Sequence, residues 1–196
     1  MSNFFILVFS LHAFFVSAQT TKWNVDLLHS KVGFSVEHMM VSETEGTFDK
    51  YDATLYSDTE DFSDLKVDFI IESASINTRN EKRDKHLRDF DFFDAEKYPS
   101  ITFKGTSTKK DKNNILLITG NLTIRNVTKE VTFKGEYKGT IVKDAFGLTR
   151  AGLIISTVIN RQDYGVAYNG NLEVGGLMLG NDVNISCRLS ITKDKV

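Results

Sequence analysis

The groups in this chain best suited to chemistry are His29, His38 and His86, the single cysteine Cys187, and two neighbouring arginine–aspartate sets, Arg83 with Asp84 and Arg161 with Asp163. His38 shares parity with Val32, Phe34 and Val36, so an extended chain points it inward with them, whereas His29 has the opposite parity and precedes that run. The two do not form a metal-binding face, and a catalytic zinc usually needs three protein ligands, so no metal site is expected. Cys187 lies on the apolar side of the alternation Ile185-Ser186-Cys187-Arg188-Leu189-Ser190-Ile191 and reads as a small buried hydrophobe. Being single, it forms no intramolecular disulfide and no thiolate cluster. There is no Gly-x-Ser-x-Gly elbow, and no carboxylate pair stands out among the many acids, so no catalytic residue is assigned and an enzyme is not expected.

The arginine–aspartate sets have two readings. Each can be an ion pair fixing a helix or turn, or each arginine can offer its planar donors to an anionic group. Phe90, Phe92, Phe93 and Tyr98 crowd nine positions, either as a small core beneath a helix or as part of the lining of an opening. Inward-facing His38 is open in the same way, as a core histidine bonded to the backbone or as a contact to something held inside.

The elements that must position these groups follow a period of two. Val32, Phe34 and Val36 alternate with polar residues, as do Val67, Phe69 and Ile71, then Ile101 and Phe103, then Leu116, Ile118, Leu122 and Ile124, then Val131 and Phe133. Such alternation makes strands with one dry face and one wet face. Parity changes between Phe48 and Ala53-Thr54-Leu55, which predicts a one-residue bulge near Asp49-Lys50. Asn126 tolerates positive φ and predicts a hairpin joining two long strands. One stretch reads as helix: Thr78-Arg79-Asn80-Glu81 matches a capping box, and Lys82 to Phe93 places His86, Phe90 and Phe93 at i, i+4 and i+7, with Leu87 beside them. The fold expected is all-β, an extended antiparallel barrel of about eight strands, with a β-sandwich as the alternative and one short helix inserted near one barrel end as a lid. A barrel of that size is filled by its own side chains or holds one small ligand, and alternation alone does not choose.

The 196 residues carry a net charge of -2, with lysines and acids interspersed, so a nucleic acid is not an expected partner. Phe4 to Val16 is uncharged and apolar and precedes Val16-Ser17-Ala18, a small-x-small cleavage pattern, although no Lys or Arg comes before it. The reading is a secretory signal over 1–18, an exported single domain over 19–196, and no stable membrane span after cleavage; the stretch is short of the roughly 20 apolar residues a span needs.

Trp23-Asn24-Val25-Asp26, His29-Ser30 and Gly46-Thr47-Phe48 lead into Arg83-Asp84-Lys85-His86-Leu87, Asp91-Phe92-Phe93-Asp94 and Tyr98-Pro99-Ser100-Ile101-Thr102-Phe103. Gly120-Asn121-Leu122-Thr123-Ile124-Arg125, Asn160-Arg161-Gln162-Asp163-Tyr164-Gly165 and Asp182-Val183-Asn184-Ile185 follow. In order and spacing these blocks resemble the YceI-like, polyisoprenoid-binding proteins of bacterial periplasms, from Trp23 to about Thr192. Asn126 stands where a glycine is common, and both accept a left-handed turn.

The resemblance implies a lipocalin-like barrel, periplasmic or secreted, that holds a long-chain amphiphile: an isoprenoid quinone, a polyprenyl phosphate or a fatty chain. The ligand would be bound non-covalently, with no further cofactor required, and a homodimer is left open. Phe34, Val36, His38, Phe48, Phe69, Ile71, His86, Leu87, Phe90, Phe93, Phe103, Leu122 and Phe133 are the expected ligand contacts, with His38, Arg83 and Arg161 as candidates for the head group. At about 0.3 kcal/mol per heavy atom, a tail of about 40 carbons would bind with roughly 12 kcal/mol, near nanomolar, without any salt bridge. Two other functions stay open: a filled barrel that binds another protein on its outer surface, and a hydrolase or isomerase acting on a lipid.

Overall fold

The computed structural model describes residues 20–170, 175 and 178–193, so the segment read as a secretory signal lies outside the described residues. The strands are β1 (Lys22–Val25), β2 (Lys31–His38), β3 (Ser42–Phe48), β4 (Tyr51–Tyr56), β5 (Lys66–Glu72), β6 (Ile76–Asn77), β7 (Ser100–Lys110), β8 (Leu116–Ile124), β9 (Val127–Ile141), β10 (Arg150–Asn160) and β11 (Leu179–Lys193). The helix α1 (Glu81–Arg88) falls between β6 and β7. Neighbouring strands pair in the order β1-β4-β5-β7-β8-β9-β10-β11, and β11 returns to β1, which closes an eight-stranded antiparallel barrel. No described helix is long and apolar enough to cross a membrane.

Two strand lines are bent rather than straight. β11 pairs with β1 through Val25↔Ile191 and with β2 from Lys31↔Arg188 to Leu179↔His38. β1 and β2 therefore lie along the same flank of β11, joined by the turn Leu27–His29, in which the Asp26 carboxylate accepts from the Leu28 amide. β3 and β4 are similarly consecutive. The parity change expected there is real, but it is a break of two residues and not a bulge: Asp49 donates its amide to Ser75, after which Ala53 and Leu55 face the interior that Phe48 faced before. The β8–β9 turn is made by Arg125 and Asn126, with φ of 49° and 62°, between the paired residues Ile124 and Val127. Two consecutive left-handed residues give the twist that a two-residue hairpin needs.

The helix is shorter than its sequence pattern suggests. Its N-cap is Asn80, whose side-chain oxygen accepts from the Arg83 amide, and it ends at Arg88, so Thr78 is not the cap and Asp89 to Asp94 form turns. The i, i+4, i+7 register consequently fails at its far end. Phe90 turns into solvent, 77% exposed, while Phe92 is buried.

One end of the barrel is solid. Leu55, Leu116 and Ile191 are 0% exposed there, and Trp23, Phe62 and Tyr137 stack across the end with ring centroids 5.1 and 5.4 Å apart. Phe62 adopts φ 58°, an uncommon conformation for a bulky residue, and its ring is fully buried. Asp64 holds this loop. It accepts from the Ser57 hydroxyl at 2.5 Å, the Asp58 amide at 2.9 Å and the Thr59 hydroxyl at 2.7 Å. Partial burial opposes its charge, but those hydrogen bonds outweigh it and hold the carboxyl at about 2, below its usual 3.8.

Two outcomes follow from this packing. A carboxyl held low stabilises the fold fully above its unfolded pKa, and that contribution is lost as pH falls through the folded value. Thermal unfolding of Asp64→Asn should therefore show a midpoint below wild type at pH 7, with the gap closing between about pH 4 and pH 2. At Gly120, an added Cβ would sit 2.4 Å from the Lys104 carbonyl and 2.6 Å from the Phe103 ring. Gly120→Ala should cost about 1–3 kcal/mol by overpacking, which lowers the midpoint by roughly 2–12 °C for a chain of this size; circular dichroism melts measure it.

Candidate functional site

The other end of the barrel is hollow. Phe34 and Val36 on β2, Phe69 and Ile71 on β5, and Val183, Ile185 and Cys187 on β11 occupy inward positions yet remain only half buried, because they border vacant space. That space is a cavity of about 340 Å³, within the range of about 300–1,000 Å³ found for small-molecule sites. Alternate residues of β2 from Val32 to His38 line it, a run of about 20 Å at strand rise, which suits an extended chain better than a compact ring. Most of the remaining lining is aliphatic or aromatic, with Thr44, Thr102, Arg83 and Arg161 as polar members. Phe48 meets Phe34 and Phe93 at 5.7 Å, and Phe103 meets Phe133 at 4.9 Å.

Of the residues singled out from sequence, Phe34, Val36, His38, Phe48, Phe69, Ile71, His86, Leu87, Phe93, Phe103, Leu122 and Phe133 all border this cavity. Phe90 does not, because the helix stops before it. His38 ends β2 and is half buried at the cavity wall. His29 stays outside, with Nδ1 2.7 Å from Asp26. Among the described residues no group of three His, Cys, Asp or Glu side chains comes together.

α1 stands at the hollow end. Arg83 and His86 line both the cavity and a polar depression formed with Asn80, Lys82, Lys85 and Asp89. His86 Nε2 lies 3.1 Å from Asp91, and its ring sits edge-on to Phe92 at 5.0 Å and Tyr168 at 4.9 Å. The two arginine–aspartate sets are not ion pairs. Arg83 donates to the Thr78 hydroxyl at 2.7 Å and the Thr78 carbonyl at 2.9 Å, while Asp84 accepts from the Thr78 amide at 2.7 Å and the Thr78 hydroxyl at 2.5 Å. Both charges are thus directed at one buried threonine, tying the helix to β6. Asp163 pairs outward with Lys129 at 3.2 Å, and Arg161 turns inward to the cavity wall.

The YceI-like domain model matches residues 23–191. The chain belongs to the YceI-like family. A UPF0312 protein of Staphylococcus aureus is 39% identical over 175 residues, covering 88% of this chain and 99% of that protein. The crystal structure of a Campylobacter jejuni YceI protein, 32% identical, superposes with a TM-score of 0.69 over 87% of this chain and 97% of that one. A polyisoprenoid-binding domain from Saccharophagus degradans shares the fold at 15% identity, with a TM-score of 0.62 over 88% and 98% of the two chains.

In this YceI-like protein several cavity residues escaped the sequence reading. Ile155, Ile159 and Leu189 carried the right alternation. Tyr164, which ends a single 3-10 turn (Arg161–Tyr164), and Val166, Tyr168 and Met178, which lie in irregular chain, had no such signal; Met178 donates its amide to Gly170, and Met39 to Met178. Cys187 also borders the cavity, and burial pushes its thiol up to about 12. At pH 8 that leaves about one molecule in ten thousand as thiolate, the reactive form. Iodoacetate should therefore leave Cys187 unmodified in the folded protein at pH 8 and alkylate it once guanidinium unfolds the chain, as read by intact-mass spectrometry.

Proposed function

We propose that this protein is a non-catalytic carrier or sequestering protein for a long-chain amphiphile, an isoprenoid or a fatty chain, whose tail occupies the barrel cavity. The observation that carries the reading is the half-buried state of inward apolar side chains at one end of a barrel whose other end is solid. An empty apolar cavity leaves its lining without dispersion partners on one side, and a hydrocarbon tail supplies them. Each buried methylene contributes about 0.8 kcal/mol in transfer terms, so affinity needs no reactive group. Family membership and the polyisoprenoid-binding name of the Saccharophagus degradans domain support the same ligand class. The apolar leader read at residues 1–18 supports an exported, periplasmic or secreted setting, where a tail insoluble in water would need such a container.

The cavity residues Val36 and Ile185 provide the test. A tryptophan at either position should occupy the hollow, keep the melting midpoint within a few degrees of wild type and abolish binding of a fluorescent fatty chain. In a solid core the same insertion would cost about 1–3 kcal/mol by overpacking. Loss of folding in both variants, or undiminished binding in both, would remove the carrier reading. Gentle purification of the wild type followed by native mass spectrometry should show a retained lipid-sized adduct, absent from Val36→Trp.

A further inference from the structure

The turn between β2 and β3 is built from residues that its geometry disfavours. Met39 and Met40 have φ of 52° and 62°, nearly the backbone of Arg125 and Asn126 in the β8–β9 turn, at 49° and 62°. Left-handed turn positions favour asparagine or glycine, and a bulky side chain there is an outlier. The turn is also apolar in water. Met39 is exposed, Met40 is 60% exposed, and Val41, which follows, is 86% exposed. Three consecutive apolar side chains that contribute nothing to the core call for a partner.

This turn stands on the rim of the cavity. His38, just before it, borders the cavity, and Met39 donates its amide to Met178, another lining residue. A second apolar tip shares the rim. Phe90, 77% exposed, lies two residues beyond α1, whose Arg83, His86 and Leu87 line the cavity. Lys82 and Lys85 are exposed on that helix, and with Arg83 they outnumber Asp89, the one acid of its polar depression. Glu37 and Glu43 flank the turn, so the cationic character belongs to the α1 side.

Apolar tips beside cations, at the opening of an apolar cavity, match a lipid bilayer. The tips can enter the boundary between head groups and acyl chains while the cations meet head-group phosphates. A protein partner would cover the tips equally well, but gives no reason for them to stand at the opening.

We propose that the hollow end of the barrel docks on a bilayer surface bearing anionic head groups, with Met40, Val41 and Phe90 entering its apolar boundary and Lys82 and Lys85 meeting its phosphates. A tail then passes between bilayer and cavity without crossing water. The docking surface goes beyond the carrier reading, and the choice of a bilayer as its partner rests on that reading.

Vesicle flotation tests this with the chain from Thr20 onward, which holds every described strand of the closed barrel, so that the apolar stretch at 1–18 adds no membrane affinity of its own. Vesicles of phosphatidylcholine alone are compared with vesicles that also contain phosphatidylglycerol. Wild type should partition roughly 10-fold more strongly onto the anionic vesicles. The triple variant Met40→Asn, Val41→Ser, Phe90→Ser should lose at least about 10-fold of that partition. Its melting midpoint should not fall, and it should bind a fluorescent fatty chain in solution as wild type does, because none of the three residues lines the cavity. Lys82→Glu with Lys85→Glu should abolish the preference for anionic vesicles. Val142→Ser with Phe146→Ser, which removes exposed apolar side chains at the solid end, should leave partition unchanged.

Failure of wild type to float with either vesicle, or undiminished partition of the triple variant, overturns the docking surface, and so does an equal loss in the solid-end variant. Equal partition of wild type onto both compositions overturns the anionic requirement. A wild-type dimer that the triple variant dissociates, without vesicle binding, assigns the tips to a second copy of this chain and overturns the bilayer. Binding of the fluorescent fatty chain by wild type keeps the carrier reading through each of these results, and its absence removes that reading separately.

Discussion

β11 holds the barrel shut. Along its fifteen residues it bonds β10 on one side and, in succession, β2 and β1 on the other. Closure satisfies the backbone groups of strands that would otherwise be exposed edges, so the backbone leaves the interior entirely to side chains. What the interior holds is then decided by the volume of the inward residues against the space that eight strands enclose. The same strand shows both outcomes. Its inward residue Ile191 is packed solid, whereas Val183, Ile185 and Cys187 face vacancy.

The difference between the two ends is one of covering. At the solid end the loop from Ser57 to Leu65 turns a phenylalanine back into the barrel, and Asp64 pins that loop through hydrogen bonds. Arg150 ties the same end together by bridging Asp26 and Asp144. At the hollow end the described covering is a helix of eight residues and the chain from Arg161 to Gly170, and these described residues leave the space unfilled. α1 is fastened through Thr78, Arg83 and Asp84, and it lends the cavity wall its one apolar residue, Leu87, beside Arg83 and His86.

The cavity wall is apolar over most of its extent. Apolar burial is non-directional and tolerates many tails. The carbonyls of Gly180, Val166 and Tyr168 hold the Arg161 side chain in one place at the cavity wall.

Much of the barrel was legible in the sequence because alternation is a local signal: each inward residue of β2, β5, β7 and β8 announces its face through its neighbours two positions away. The β8–β9 hairpin was legible for the same reason, through the left-handed tolerance of Asn126. Where the chain leaves its regular period the reading failed. Thr78 resembled a cap but is buried against Asp84, and Asn80 caps instead. Phe90 fitted the helical register but follows the helix's end, and Tyr164, Tyr168 and Met178 reach the cavity from segments with no period at all. The sequence by itself determined which residues turn inward, since a strand's two faces are set by residues next to one another. Only the tertiary structure decided whether those residues meet each other or surround a void, because that depends on groups far apart in the chain being brought to the same place.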